Sequence, residues 1–190
     1  MLRLKETIEE FLEFATDNAI EIYNEFSLQH ELGIFLRNKI KDYKIQFERN
    51  ISFFFMNAKT VKHEIDIVIY NHDKSEKYAI ELKYPTDSQY PEKLYSFIKD
   101  IKFMEQLKEL GFNKTYCVTI FPSEYKKFYD GADKRVDGIY KYFRKENSVY
   151  GKVNKPTGAL KEIEYIELNN KYDIVWQDTK RNEKYYLIEM

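Results

Sequence analysis

Two carboxylates and one ammonium group lie within two neighbouring apolar segments of the chain. Asp66 belongs to HEIDIVIY, and Glu81 and Lys83 flank Leu82 in YAIELKYP. Both segments alternate with a period of two, so Glu81 and Lys83 project from one side of their strand and Leu82 from the other. If the two strands pair as a hairpin, Asp66 comes close to Glu81. Charges at the edge of a hydrophobic sheet are costly, which favours their use by an ion or a substrate.

The surrounding segments predict the elements that hold these groups. Apolar residues at helical spacing predict two helices, over 4–25 and over 28–41, with Ser27 as the N-cap of the second. Three runs of β-forming residues follow as strands, at 43–56 with a bend or turn near Arg49-Asn50, at 61–70 and at 78–84. Pro91 suits the first turn of a third helix, and a further strand is expected over 114–121. The pattern predicts an α/β fold in which helices flank a mixed sheet.

The composition limits the possible classes of function. The chain is most simply one domain, residues 1–190, and is large enough for a substantial core. With 31 basic and 32 acidic residues the formal net charge is −1, so any phosphate binding must come from a local patch. A single cysteine, Cys117, excludes an internal disulfide and favours a buried structural thiol. The N-terminus is unlike a signal peptide and no apolar run could span a membrane, so we expect a cytoplasmic protein.

The spacing of the charged residues resembles a known superfamily. Asp66, fourteen intervening residues and then Glu81-Leu82-Lys83 are similar to the motif of the PD-(D/E)XK nucleases, which include many restriction endonucleases and archaeal Holliday-junction resolvases. The resemblance covers about residues 27–121 and implies a restriction-endonuclease-like αβββαβ core. Residues 122–190 would form a β-rich C-terminal extension. Ile65 stands where these nucleases usually have a proline.

This resemblance implies a metal-dependent nuclease that acts on nucleic acid, with DNA as the favoured substrate, as in restriction or defence against mobile elements. Asp66 and Glu81 would bind Mg²⁺ or Mn²⁺, with the backbone carbonyl of Leu82 as a third ligand. Lys83 would orient or help deprotonate the attacking water, or stabilise the developing charge. One alternative is a catalytically inactive module on the same fold that binds nucleic acid or protein. Another is an unrelated interaction domain in which the charges form only ion pairs.

Other acidic residues compete for a supporting role. The superfamily often carries a glutamate on the helix before the core sheet, and Glu31 is the catalytic candidate there. Glu31 flanks the apolar stripe of its predicted helix, so we expect it to face the sheet. Glu48 and Glu64 are rivals for the same role. Asp100 falls within the apolar arc of the third helix, where pairing with a basic group is favoured over metal ligation.

A candidate nucleic-acid surface follows the core, where cations alternate with aromatic rings. The cations are Lys126, Lys127, Lys134, Lys141, Arg144 and Lys145. Rings such as Phe128 and Phe143 could stack on bases, or they could belong to the core and leave the cations solvated. The low net charge leaves room for a homodimer or a partner subunit to supply further contacts.

The end of the chain predicts strands and turns. Strands are expected at 163–168, 171–177 and 184–189. Asn169-Asn170 and Arg181-Asn182 are the predicted turns between them.

Overall fold

The computed structural model of the protein describes residues 2–131, 135–161 and 163–190. Its α-helices are α1 (Leu4–Asp17), α2 (Glu25–Lys39), α3 (Tyr90–Glu109) and α4 (Tyr140–Arg144). Its strands are β1 (Lys44–Asn50), β2 (Glu64–Tyr70), β3 (Lys77–Lys83), β4 (Lys114–Phe121), β5 (Ser148–Asn154), β6 (Tyr165–Asp173), β7 (Gln177–Asp178) and β8 (Lys184–Glu189). Short 3₁₀ turns cover Ile51–Phe53 and Ser123–Phe128.

Six of these strands form one mixed sheet in the order β1-β2-β3-β4-β8-β7. The β3–β4 pair is parallel, and α3 makes the crossover between them; the other pairs are antiparallel. The last long strand, β8, therefore lies beside β4 in the interior of the sheet. A separate antiparallel pair, β5–β6, belongs to the C-terminal part of the chain. The predicted α/β class, with helices flanking a mixed sheet, is confirmed.

The sheet separates two apolar cores because successive side chains of each strand point to opposite faces. One core lies under α1 and α2 and receives Ile67, Ile80 and Leu82 from the sheet. The other lies under α3 and the C-terminal part and receives Val68 and Ala79. Asp66 and Glu81 share the periodicity of Val68 and Ala79, which places them on the α3 face.

The N-terminal helices differ from the sequence prediction at one boundary. The predicted helix over 4–25 ends at Asp17, and Ala19 takes a left-handed backbone conformation (φ 53°). A capping box then starts α2: Asn24 accepts a hydrogen bond from the Ser27 N–H, and the Ser27 hydroxyl accepts one from the Asn24 N–H. Ser27 is thus the third residue of the helix and not its N-cap.

The C-terminal part contains one strand that the sequence did not predict and one strand in place of a predicted turn. The first is β5, which carries an irregularity at Gly151 (φ 64°). The second is β6, which continues through Asn169 and Asn170, so the turn predicted there is wrong. Both asparagine N–H groups donate to the buried carboxylate of Glu105 on α3 at 2.9–3.1 Å. The turn predicted at Arg181-Asn182 is confirmed.

Helix α2 approaches the first strand closely at Gly33. A β-carbon added at Gly33 would overlap the ring of Phe47 on β1. The absence of a side chain at this position sets the spacing between α2 and the sheet.

Candidate active site

Asp66 and Glu81 lie side by side where the pairing of β2 with β3 stops. The registered pairs of this hairpin end at Ile67 and Ile80, and Asp66 and Glu81 are the next residues on each strand. In place of a further backbone pair, the Leu82 N–H donates to Asp66 Oδ2 at 2.7 Å. This hydrogen bond fixes the Asp66 carboxylate against β3. The predicted proximity of the two acids is therefore present in the structure.

Lys83 leaves β3 on the same side as Glu81 and is held by oxygen atoms. Its Nζ lies 3.0 Å from Glu25 Oε1 and 3.7 Å from Asp100 Oδ2. It also donates to the Leu82 carbonyl at 2.8 Å. The carbonyl that the sequence predicts as a metal ligand thus accepts a hydrogen bond from the neighbouring lysine.

A second lysine, Lys62, enters the site from the segment that precedes β2. Its Nζ contacts Glu81 Oε2 directly and lies 2.9 Å from Asp100 Oδ1. The side chain is 25% exposed, whereas those of Glu81 and Asp100 are 1% and 5% exposed. Sequence reasoning missed Lys62. A signal was present, because Lys62 stands four residues before Asp66 and so shares the periodicity of its strand face.

Four carboxylates and two ammonium groups meet in this cluster. The carboxylates belong to Glu25, Asp66, Glu81 and Asp100, and the ammonium groups to Lys62 and Lys83. The cluster has a formal excess of two negative charges, which is the charge that one divalent cation would neutralise. Glu81 Oε1 and Asp100 Oδ2 are also buried without a hydrogen-bond partner. Asp100 Oδ2 has only the Lys83 ammonium group at 3.7 Å, whereas Glu81 Oε1 is the buried oxygen that would suit a hard cation.

Burial dominates the electrostatics of the two acids. Burial raises the pKa of Asp66 to about 6, although Lys83 and Lys62 oppose the shift. Burial, followed by repulsion from Asp66 and Asp100, raises the pKa of Glu81 well above its usual range. Burial alone would lower the pKa of Lys83, but the neighbouring carboxylates outweigh it and raise the pKa. Lys83 therefore stays protonated, while each of these two acids holds a proton more tightly than it would in water.

The residues fit a magnesium site that relies on solvent and substrate for part of its coordination. Among the described residues, no group of three or more histidine, cysteine, aspartate or glutamate side chains is arranged to hold a metal ion. Mg²⁺ commonly takes only one or two protein carboxylates and keeps several waters. Asp66 and Glu81, with the unpaired Glu81 Oε1, supply such a pair.

Helix α2 contributes residues to the site, but Glu31 is not brought to it. Glu25 pairs with Lys83, and Gln29 donates to the Asp66 carbonyl at 2.9 Å and to Glu48. Glu31 lies on another face of α2, where it lines a groove with Phe14 and Ile34. The expectation that Glu31 faces the sheet is therefore not met, because the helical rotation turns Glu25 and Gln29 toward β2 and β3 instead.

The other rival acids differ in position. Glu48 lies on β1 in a left-handed conformation (φ 47°), which is uncommon for a residue other than glycine, and binds Gln29 beside Asp66. Glu64 is exposed at the start of β2, opposite Asn50. Asp100 pairs with lysines, as the sequence predicts. Cys117 is buried in the sheet, which confirms its structural character.

The candidate nucleic-acid surface keeps several exposed cations, but two of its rings belong to the core. Lys126, Lys127 and Lys145 are exposed, and Lys141 lines a groove of about 520 Å³ with Lys152 and Lys155. Arg144 donates to the carbonyls of Lys127 and Arg135 and so ties two chain segments together. Phe128 and Phe143 are fully buried, so base stacking on these rings is excluded. Lys134 lies outside the described residues.

Comparison of the chain with known protein families, with curated proteins and with solved structures finds no match. Within the described part of the chain, no helix combines the length and apolar character needed to cross a membrane.

Proposed function

We propose that the protein is a divalent-metal-dependent nuclease with a restriction-endonuclease-like core, which hydrolyses phosphodiester bonds in DNA in the cytoplasm. The observation that carries this proposal is the pairing of Asp66 with Glu81 where β2 and β3 separate, beside Lys83. That cluster has a formal excess of two negative charges, and Glu81 Oε1 is buried without a hydrogen-bond partner. A cation and the phosphate it attracts would complete it.

The residues have separable roles in this proposal. Asp66 and Glu81 would hold Mg²⁺ or Mn²⁺, and the bound ion would supply Lewis acidity toward a phosphate oxygen and a water molecule. The Leu82 N–H keeps Asp66 in place, and Asp100 positions the ammonium group of Lys83. Lys83 remains positively charged, so its role here is to orient water or to stabilise negative charge on the phosphate. The carboxylates around Lys83 raise its pKa and so disfavour its loss of a proton.

A second candidate is a catalytically inactive binding module on the same fold. The observation that favours it is the ion-pair network itself, in which Lys62 and Lys83 already engage Glu81, Asp100 and Glu25. A network of this kind can persist as a purely structural feature, because removing either partner leaves a buried charge.

Plasmid cleavage distinguishes the two candidates. Purified protein is incubated with supercoiled DNA and either excess EDTA or Mg²⁺ or Mn²⁺ at roughly millimolar concentration, as suits weakly held hard cations. We expect nicked or linear product with metal that disappears in Lys83→Ala and Asp66→Asn. The matched control is Lys77→Ala, which removes a lysine from the start of the same strand, away from the cluster. Folded wild-type protein that cuts neither DNA nor RNA would support the inactive module.

A further inference from the structure

Lys62 occupies the position on Glu81 that a cation would use. Its ammonium group bridges Glu81 Oε2 and Asp100 Oδ1, two oxygens of nearly fully buried side chains. The opposite oxygen of Glu81 is buried and has no hydrogen-bond partner. One oxygen of the Glu81 carboxylate is therefore bound to the Lys62 ammonium group, and the other oxygen has no hydrogen-bond partner.

The segment that carries Lys62 allows its side chain to leave. Lys62 belongs to no helix or strand, and Asn57 and Lys59 of the same segment are exposed. The neighbouring Val61 is tethered separately, through its N–H to the side chain of Gln106 on α3 at 2.9 Å. Lys62 can therefore withdraw by rotation of its flexible stem while the backbone stays in place. Lys83 differs, because it sits on a central strand.

A divalent ion on Glu81 would lie close to the Lys62 ammonium group. Like charges at such a distance, in a poorly solvated site, repel strongly. The two cations also depend on the same carboxylate for compensation. Binding of one must weaken binding of the other by the same factor, because coupling between two ligands of one site is reciprocal.

Given the proposed metal-dependent function, we propose that Lys62 competes with the divalent metal for Glu81. In the metal-free protein Lys62 is the counter-ion of Glu81 and Asp100, and it compensates the charge of these two buried carboxylates. Metal binding releases Lys62 from Glu81. The affinity of the protein for its metal is consequently set in part by a residue that is not a ligand.

The test is a titration of the full chain with Mn²⁺, in which the free ion is followed by electron paramagnetic resonance. Lys62→Met keeps the length of the stem and removes the charge, whereas Lys62→Arg keeps the charge. Lys114→Met is the matched control, because Lys114 also forms an ion pair, with Glu189, and its side chain is 30% exposed. We expect Lys62→Met to bind Mn²⁺ about tenfold more tightly than wild type, which corresponds to about 1.4 kcal/mol. Lys62→Arg and Lys114→Met should stay close to wild type.

The outcomes separate this proposal from the proposed function. Tight binding by Lys62→Met that is lost on adding Asp66→Asn supports competition at this site. If wild-type protein binds Mn²⁺ through Asp66 and Lys62→Met binds it with the same or lower affinity, competition by Lys62 is overturned. The proposed metal site itself would remain supported. Absence of Asp66-dependent binding in every variant would overturn both. If Lys62→Met does not fold, Lys62→Gln, which can still donate to Glu81, replaces it in the same titration.

Discussion

Replacing Asp66 by asparagine should stabilise the metal-free protein at neutral pH. Asp66 is 9% exposed, and its carboxylate lies beside Glu81 in a cluster with an excess of negative charge. Asparagine has nearly the same shape and can still accept the hydrogen bond from the Leu82 N–H. The substitution therefore removes a costly charge while keeping the contact that positions the side chain.

The magnitude follows from the pKa of Asp66, which burial raises from 3.8 to about 6. Each unit of pKa corresponds to about 1.4 kcal/mol, so the charge costs the folded state about 3 kcal/mol above pH 6. The folded protein holds this proton more tightly than the unfolded chain. The contribution of Asp66 to the free energy of unfolding is therefore greatest below pH 4, and this contribution is lost as the pH rises through 6. Below pH 4 the free energy of unfolding of Asp66→Asn should equal that of wild type. At pH 5 it should exceed the wild-type value by about half of the full difference.

Urea unfolding in EDTA at pH 5.0 and 7.5 measures this difference as a change in the free energy of unfolding. Thermal unfolding at pH 7.5 should show a rise in Tm of roughly 6–12 °C. Asp73→Asn is the control: Asp73 is exposed, and hydrogen bonds from Ser75 lower its pKa, so its loss should not stabilise the protein. An Asp66→Asn protein no more stable than wild type at pH 7.5 would refute the claim that burial of the charged Asp66 carboxylate destabilises the folded state.

Two further substitutions test how the surrounding structure is held. Glu105→Ala should lower the free energy of unfolding by about 3 kcal/mol, because the backbone N–H groups of Asn169 and Asn170 lose their buried acceptor. Urea unfolding measures this change, and Glu109→Ala, at a more exposed position of α3, is the comparison. Gly33→Ala should cost about 1–3 kcal/mol through overlap with Phe47. Adding Phe47→Leu should recover part of that loss in a double-mutant cycle, and purely additive effects would contradict the proposed overlap.

The central strands and the α3 helix could be predicted from the sequence because their signals are local. Alternation in β3 placed Glu81 and Lys83 on one side of their strand, and a hairpin between β2 and β3 was enough to bring Asp66 close to Glu81. Pro91 marked the start of α3 to within one residue. The turn at Arg181-Asn182 was equally local. Each of these features depends on residues that are close together in the chain.

The rest of the site could not be predicted because it depends on contacts between distant segments. The periodicity of the predicted strand includes Lys62, but the contact of Lys62 with Asp100 exists only because α3 folds over the sheet, which periodicity does not report. Glu31 and Glu25 lie on the same helix, and the rotation of that helix against the sheet is set by packing. The two asparagines of β6 have turn-forming side chains, but a carboxylate more than 60 residues away in the chain holds their backbone extended.

The position of β8 beside β4 has a consequence for the order in which the sheet is completed. During synthesis β4 emerges with β3 as a neighbour and its other edge open, and roughly 60 further residues must follow before β8 can cover it. An open apolar edge is a site for pairing with other chains. In the finished sheet β8 covers that edge of β4 along Tyr116–Phe121. The open edge of β4 therefore belongs to the nascent chain, and slower translation between β4 and β8 would prolong its exposure.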